Sequence, residues 1–380
     1  MNKVVVTGAG GAPATGAGGM PVPAGGLRCM LMRGGTSKGL YFLAGDLPPD
    51  PAARDAVLLA VMGSGHPLQV DGVGGAHPLA AKVAVVSPSQ RDDADVDYLF
   101  LQLGVDEPTI TDRQNCGNIL AGVGPFAVER GLIGAGREST TARIHMVNSR
   151  AVVSATFATP GGAVRYGGDT AIAGVPGTAS PVLLRFADTA GSATGSLLPT
   201  GNARDVIDGI PVSCVDNGMP VVVARAADFG VTGYEPPEEL AANAGLARRV
   251  QALRLAAGQL MGLGDVSGLS VPKTTLVSAP RDGGTICTRT FIPVRPHPAI
   301  GVLGAVTVAT ALLLPGGVGA ELARFPASGR VADIEHPTGH LEVEVELDTS
   351  GRPPRVLRAG VVRTARKLFD GIVYPAPIAR

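Results

Sequence analysis

The sequence predicts an α+β protein of two similar domains, each a sheet wrapped around one central helix. Three observations carry that prediction. Short strand-like runs recur along the chain between turns, in keeping with 54 Gly and 31 Pro among 380 residues. Two stretches, one after Cys116 and one after His297, are apolar nearly all round, and a helix of that kind is buried on every side. The two also match each other: GVGPFAVER from Gly122 lies over GAVTVATAL from Gly304, about half a chain away, as an internal duplication would place them.

Taken in order, residues 1–26 form a low-complexity tail expected to be flexible. Its VVVTGAGGAPATG imitates a dinucleotide-binding glycine loop, but Pro13 stands where the third glycine belongs and no helical pattern follows. LRCMLM and GLYFLA read as strands joined by MRGGTSKG, a tight turn rather than a phosphate loop, because Ser37 precedes Lys38 where a glycine is required. AKVAVVS alternates, with Lys82, Ala84 and Val86 on one face. DYLFLQLGV is a strand, and the first buried helix follows, with a kink expected at Pro125. TARIHMV and AVVSATFA close the first half. A linker-like patch runs from Asp188 to Asp205 and divides domains 27–204 and 205–380, with strand pairing free to exchange the chain ends. The second half repeats the style in GIPVSCVD, MPVVVARA, KTTLVSA, TICTRTFI and HLEVEVELD, with one exposed amphipathic helix over Pro236–Gly262.

Composition excludes several functions. Thirty-two basic residues balance 32 acidic ones, Trp is absent and aromatics are 4%, so neither a basic field nor a stacking platform exists for nucleic acid. No apolar run reaches the roughly 18 residues of a membrane span, and the N-terminus lacks a signal-peptide core; a cytoplasmic protein is expected. Cys29, Cys116, Cys214 and Cys287 match no zinc or disulfide framework. Cys29, Cys214 and Cys287 lie in strand runs as core filler, and the scattered His145, His336 and His340 suggest no metal site.

Cys116 is different because it heads a buried helix. Unpaired N–H groups and a partial positive charge there attract carboxylates and lower a thiol's pKa. Asn115, Gly117 and Asn118 add amides and an open backbone approach. If the second helix starts near His297 and faces the first, the two positive ends bracket a cleft fit for a small polyanion. Lys82 on an apolar face is either an edge gatekeeper or a buried amine able to act as a base on a carbon acid. An inert thiol at Cys116 is the plain alternative.

MRGGTSKG, DGVGGA, AKVAVV, NCGNILAGVGPFAVERGLI, GVPGTA, PTG and RTARKLFDG together resemble the methylaconitate and aconitate isomerase family, closest to its 4-oxalomesaconate isomerases or tautomerases. The resemblance runs from about Leu27 to about Ile378. It implies two diaminopimelate-epimerase-like domains, each a curled, mostly antiparallel sheet around a helix, and a site between them. It also implies a catalytic lysine at Lys82, a catalytic cysteine at Cys116 and no cofactor. Two departures stand out: RPHPAIG has no cysteine at the second helix, which leaves His297 as a substrate contact, and PLAAK carries Ala80 and Ala81 where relatives often have hydroxyls.

The expected reaction is a 1,3-allylic proton shift on 4-oxalomesaconate in protocatechuate or gallate breakdown, with Lys82 as base. Gly34, Gly35, Thr36 and Ser37 would hold carboxylates. Arg33, Lys273 and Arg289 are candidate clamps or else surface charges. The partner expected is a small tricarboxylate; a homodimer is allowed, not required. Rival readings are an aconitate or methylaconitate isomerase, a keto-enol tautomerase and a non-catalytic tricarboxylate-binding accessory protein.

Overall fold

The structure is a computed structural model that describes residues 25–112, 116–326 and 331–377. The expected tail over residues 1–26 lies almost wholly outside them. In the first half the elements are β1 (Leu27–Gly34), β2 (Ser37–Leu43), α1 (Pro51–Met62), β3 (Lys82–Pro88), β4 (Val96–Leu103), β5 (Ile110–Thr111), α2 (Gly117–Glu129), β6 (Ser139–Met146), β7 (Ala151–Ala158) and β8 (Pro181–Phe186). The second half holds β9 (Asp205–Ile207), β10 (Ile210–Asp216), β11 (Pro220–Arg225), α3 (Pro237–Ala242), α4 (Ala244–Leu260), β12 (Lys273–Ser278), β13 (Ile286–Ile292), β14 (Arg295–Pro296), α5 (Val302–Leu313), β15 (Val331–His336), β16 (Gly339–Asp348) and β17 (Arg355–Val373).

The fold is α+β, and its strand order explains the repeat seen in the sequence. Around α2 the pairing runs β1–β2–β3–β4–β6–β7–β8–β17 and back to β1, a closed circuit. Around α5 the same plan recurs as β10–β11–β12–β13–β15–β16–β17. In each copy the second strand pairs parallel with the third and the fourth parallel with the next long one; the other pairings of the two series are antiparallel. β17 serves both copies and packs against both central helices.

Both helices are buried as their all-apolar sequences require. Every residue from Ile119 to Ala127 of α2 and from Gly304 to Leu312 of α5 is buried. Glycine makes room for neighbours: a Cβ at Gly122 would meet the Tyr41 hydroxyl at 2.5 Å, and one at Gly124 the Phe157 ring at 2.6 Å. α2 continues through Pro125 without interruption. In α5 the two threonines face the β10–β11 turn, where Thr307 donates to Met219 O (2.9 Å) and Thr310 accepts from Asn217 Nδ2 (2.8 Å). The N-caps Cys116 and Gly301 set the two helices in register about one turn away from the match read in the sequence.

One expectation needs correction. The amphipathic stretch Pro236–Gly262 is not one helix: it breaks at Asn243, whose side chain accepts from Leu246 N (2.9 Å) and starts α4 afresh. The linker-like patch Asp188–Asp205 is tied to the second half, where the buried Asp216 carboxylate accepts from Ser192 Oγ, Ala193 N and Thr194 N at 2.8–3.0 Å. Among the described residues no helix is long and apolar enough to cross a membrane.

Candidate active site

The β1–β2 turn docks on the first turn of α2, and its glycines are what let it do so. A Cβ on Gly34 would strike Asn118 O, and one on Gly35, whose φ is +50°, would strike Asn118 Oδ1. Thr36 Oγ1 accepts from Asn118 Nδ2 at 2.9 Å. Ser37 is buried, and neither its Oγ nor Asn118 Oδ1 has a hydrogen-bond partner among the described residues. Two buried polar atoms left open at a helix N-terminus mark a place for a polar ligand.

Lys82 opens β3 and is only 7% exposed. The period of two puts it on the face of Ala84 and Val86, which lie in the same core as α2. Its Nζ donates to Gln102 Oε1 at 2.5 Å and sits 5.2 Å from the Phe100 ring centre. Gln102 cannot turn its amide round: Nε2 donates to Pro78 O, Ala81 O and Leu103 O at 2.9–3.1 Å, so the oxygen faces the lysine. Gly39 lies between this lysine and the helix, since a Cβ there would come 2.5 Å from Lys82 O and 3.2 Å from Ile119 Cδ1.

Cys116 is the N-cap of α2 and gives no side-chain cap bond, so its thiol is not engaged on the helix. Its carbonyl accepts from Leu120 N (3.0 Å) and from the Tyr98 hydroxyl (3.4 Å). Tyr98, Phe100 and Gln102 alternate on one face of β4, which places the thiol's residue and the lysine over the same strand face. The other three thiols are fully buried: burial pushes Cys29 and Cys214 up to about 12 and raises Cys287 as well. Cys116 alone is half-exposed.

The second half brings its own groups to the same place. A Cβ on Gly117 would lie 3.8 Å from Val302 Cγ2, so the starts of α2 and α5 meet. Lys273 opens β12 as Lys82 opens β3, and its Nζ lies 3.8 Å from a Cβ position on Gly301, the α5 N-cap. Burial lowers its pKa. His297 is held by Ala299 through Nδ1 (2.8 Å to the carbonyl). His336 ends β15 on the inward face of Ala332 and Ile334, and burial, reinforced by His340, Arg363 and His297, lowers it to about 4, so it is neutral at physiological pH. Arg363 of β17 is drawn down to about 10 by burial, with Cys116 acting in the opposite sense.

Gly34, Gly35, Thr36, Ser37, Cys116, Gly117 and Asn118 are thus gathered at the start of α2, with Lys273 at that of α5; Lys82 lies on the strand face that Cys116 overlies, and His297 precedes the α5 N-cap in sequence. Asn115 lies outside the described residues. Arg289 is not brought there. It stands opposite Leu276 on the sheet face covered by α3 and α4, and donates to Glu235 O (2.7 Å) and Thr288 O (2.9 Å), a clamp on backbone carbonyls. Arg33 also points away from α2, because Met30 and Met32 take the inward positions; it donates to Gly35 O (2.8 Å) and Thr364 Oγ1 (2.9 Å). It borders a cavity of about 550 Å³ shared with Thr36, Ser37, Lys38 and Arg366. Gln102, His336 and Arg363 escaped the sequence reading. Gln102 could have been found from its alternation with Tyr98 and Phe100, and Arg363 from its place in RTARK; His336 carried no local signal.

A buried amine on β3 and a half-buried thiol at the start of α2 are groups suited to moving protons, as in the isomerase class of enzymes to which the relatives belong. The comparisons agree: the PrpF protein family matches residues 26–376, and the chain belongs to that family. It is 59% identical to "(4E)-oxalomesaconate Delta-isomerase" of Novosphingobium sp. (strain KA1) over 91% of this chain and 96% of that one. It is 55% identical to "4-oxalomesaconate tautomerase" of Pseudomonas putida over 91% and 95%. Among solved structures, that of a methylitaconate-delta-isomerase superposes with a TM-score of 0.84 at 33% identity, covering 92% of this chain and 95% of the other.

Proposed function

We propose that the chain moves a carbon–carbon double bond of 4-oxalomesaconate by a 1,3-allylic proton shift, as a step in the breakdown of aromatic acids such as protocatechuate or gallate, in the cytoplasm. The observation that carries this reading is Lys82, buried on the α2 face with its Nζ held by an amide oxygen that cannot rotate away. As the free amine, Lys82 keeps one N–H on Gln102 and offers its lone pair to the substrate. It takes the allylic proton, and the C–H electron pair spreads into the adjoining alkene and carbonyl as a dienolate. The substrate's own carbonyl is the electron sink, so no cofactor is called for.

The negative charge of the dienolate meets the N-termini of α2 and α5 and the hydroxyl of Ser37. A proton then returns two carbons away, from the Cys116 thiol or from the Lys82 ammonium. If the thiol gives it, the ammonium's proton restores the thiol, and both groups end as they began. The names of the relatives support the substrate, and the two helix ends suit its carboxylates.

The test is a screen of 4-oxalomesaconate, cis- and trans-aconitate and methylitaconate, followed by proton NMR in D₂O. Turnover of 4-oxalomesaconate with deuterium at the new position and a displaced alkene is expected. A product whose alkene has not moved would make the enzyme a keto-enol tautomerase. Binding without turnover would leave a tricarboxylate-binding accessory protein.

A further inference from the structure

We infer that Arg363 is a substrate-binding residue that grips one carboxylate of the guest beside Cys116. This rests on the proposed reading only in that the guest is a polycarboxylate.

The register of β17 sets the argument. Val361, Arg363 and Ala365 alternate onto one face, and both apolar neighbours are buried in the core shared with α2 and α5. Across the ladder Arg363 stands against Val182, another core residue. A guanidinium set among alkyl groups is costly unless something negative answers it. Asp333, Glu342 and His340 line a small cavity with Arg363, but Asp333 is taken by His340 and no ion pair to Arg363 forms among the described residues. Its Nη1 reaches only the carbonyl of its own neighbour Val362 (3.1 Å), its Nε is buried without an acceptor, and no carboxylate pairs with it. Arg254 shows what a structural arginine looks like in this chain. It is fully buried, whereas Arg363 is half-buried; the Nη2 of Arg254 also lacks an acceptor, but its Nη1 donates to Val266 O, Leu269 O and Val271 O at 3.0–3.1 Å and its Nε to Gln251 Oε1 at 3.1 Å.

Position points the same way. The next residue, Thr364, takes Gly35 N on its carbonyl (2.8 Å), so Arg363 directly adjoins the turn that carries Ser37 and faces Asn118. Three open polar groups therefore adjoin one turn: Arg363 Nε, Ser37 Oγ and Asn118 Oδ1. A guanidinium edge, a hydroxyl and the N–H groups of α2 are the donors a carboxylate wants. β17 packs against α2, whose N-cap is Cys116, so a carboxylate held there lies on the side of the thiol.

The test uses the full chain with trans-aconitate as the probe, measured by titration calorimetry, in Arg363→Gln, Arg363→Lys and Arg363→Met. The expected result is a roughly 10- to 100-fold weaker trans-aconitate affinity in the Gln and Met variants, with a smaller loss in Lys. Melting temperature should be unchanged or raised, and added methylguanidinium should restore part of the binding in the Gln variant. Wild-type affinity in Arg363→Gln would overturn the inference, as would loss of binding that comes with a lowered melting temperature and responds to neither Lys nor methylguanidinium. Wild-type protein that binds trans-aconitate but turns over none of the four acids would sink the proposed reaction and leave this inference standing. Normal 4-oxalomesaconate turnover by Arg363→Gln would do the reverse, and a wild type that binds neither acid would end both.

Discussion

Lys82 owes its place to two residues that do no chemistry, Gly39 and Gln102. Replacing Lys82 with Ala should lower kcat by roughly 10²- to 10⁴-fold while the circular dichroism spectrum stays that of the native fold; near-normal turnover would remove it as the base. Gln102→Glu is the finer probe. A carboxylate in that position favours the charged ammonium, whereas a base must be neutral. At pH 7 kcat should therefore fall by roughly 10-fold or more with the melting temperature held, and an unchanged kcat would show that the contact is structural. The inward face of Lys82 and the helix start at Cys116 were legible in the sequence because alternation and a helix start are local patterns, while the roles proposed for them came from the family resemblance. Gln102 and Arg363 were not. What makes each of them notable is a partner, or the lack of one, on a strand far along the chain.

Among the elements, the β1–β2 turn and α4 are the most exposed to test. Gly39→Ala would push a methyl to 2.5 Å from Lys82 O, and neither strand can yield without shifting the lysine. We expect a stability loss of about 1–3 kcal/mol with a fall in kcat larger than any rise in KM, read by urea melts and steady-state rates. α4 holds the loop that leads into Lys273, because Arg254 ties down three of its carbonyls. Arg254→Met should cost on the order of 3 kcal/mol in urea unfolding, since those carbonyls lose their donor inside the protein. The sequence showed an apolar stripe continuous from Pro236 to Gly262 and so hid the break. Periodicity reports a buried face, while Asn243, a capping residue, reports a start, and here the cap prevailed.

For the whole molecule, the pH response is set partly in the cleft. His336 titrates near 4 when folded against 6.5 ordinarily, so the unfolded chain binds the extra proton between those values. Its contribution to stability is complete above about pH 6.5 and is lost as pH falls toward 4. His340 works in the other sense: burial opposes its charge, but Asp333 and Asp282 outweigh that and raise its pKa. Unfolding free energies from denaturant melts at pH 7 and pH 5 should differ less in His336→Asn than in wild type, by on the order of 1 kcal/mol once solvent screening is allowed for. An identical slope in both would clear His336 of the effect. The doubled architecture could be read from two apolar stretches, because a helix apolar on all sides has only one place to go. An exchange of chain ends was allowed by the sequence, but which strand closes the ring around α2 could not be read, because it comes from the far end of the chain.

That last member has a bearing on how the protein comes into being. Arg33 and Thr364 touch across 331 positions of sequence, so the first lobe to leave the ribosome waits, one stave short, with α2 lying in an unclosed barrel. Each lobe borrows the same closing stave, so a cut between them would leave the first ring open.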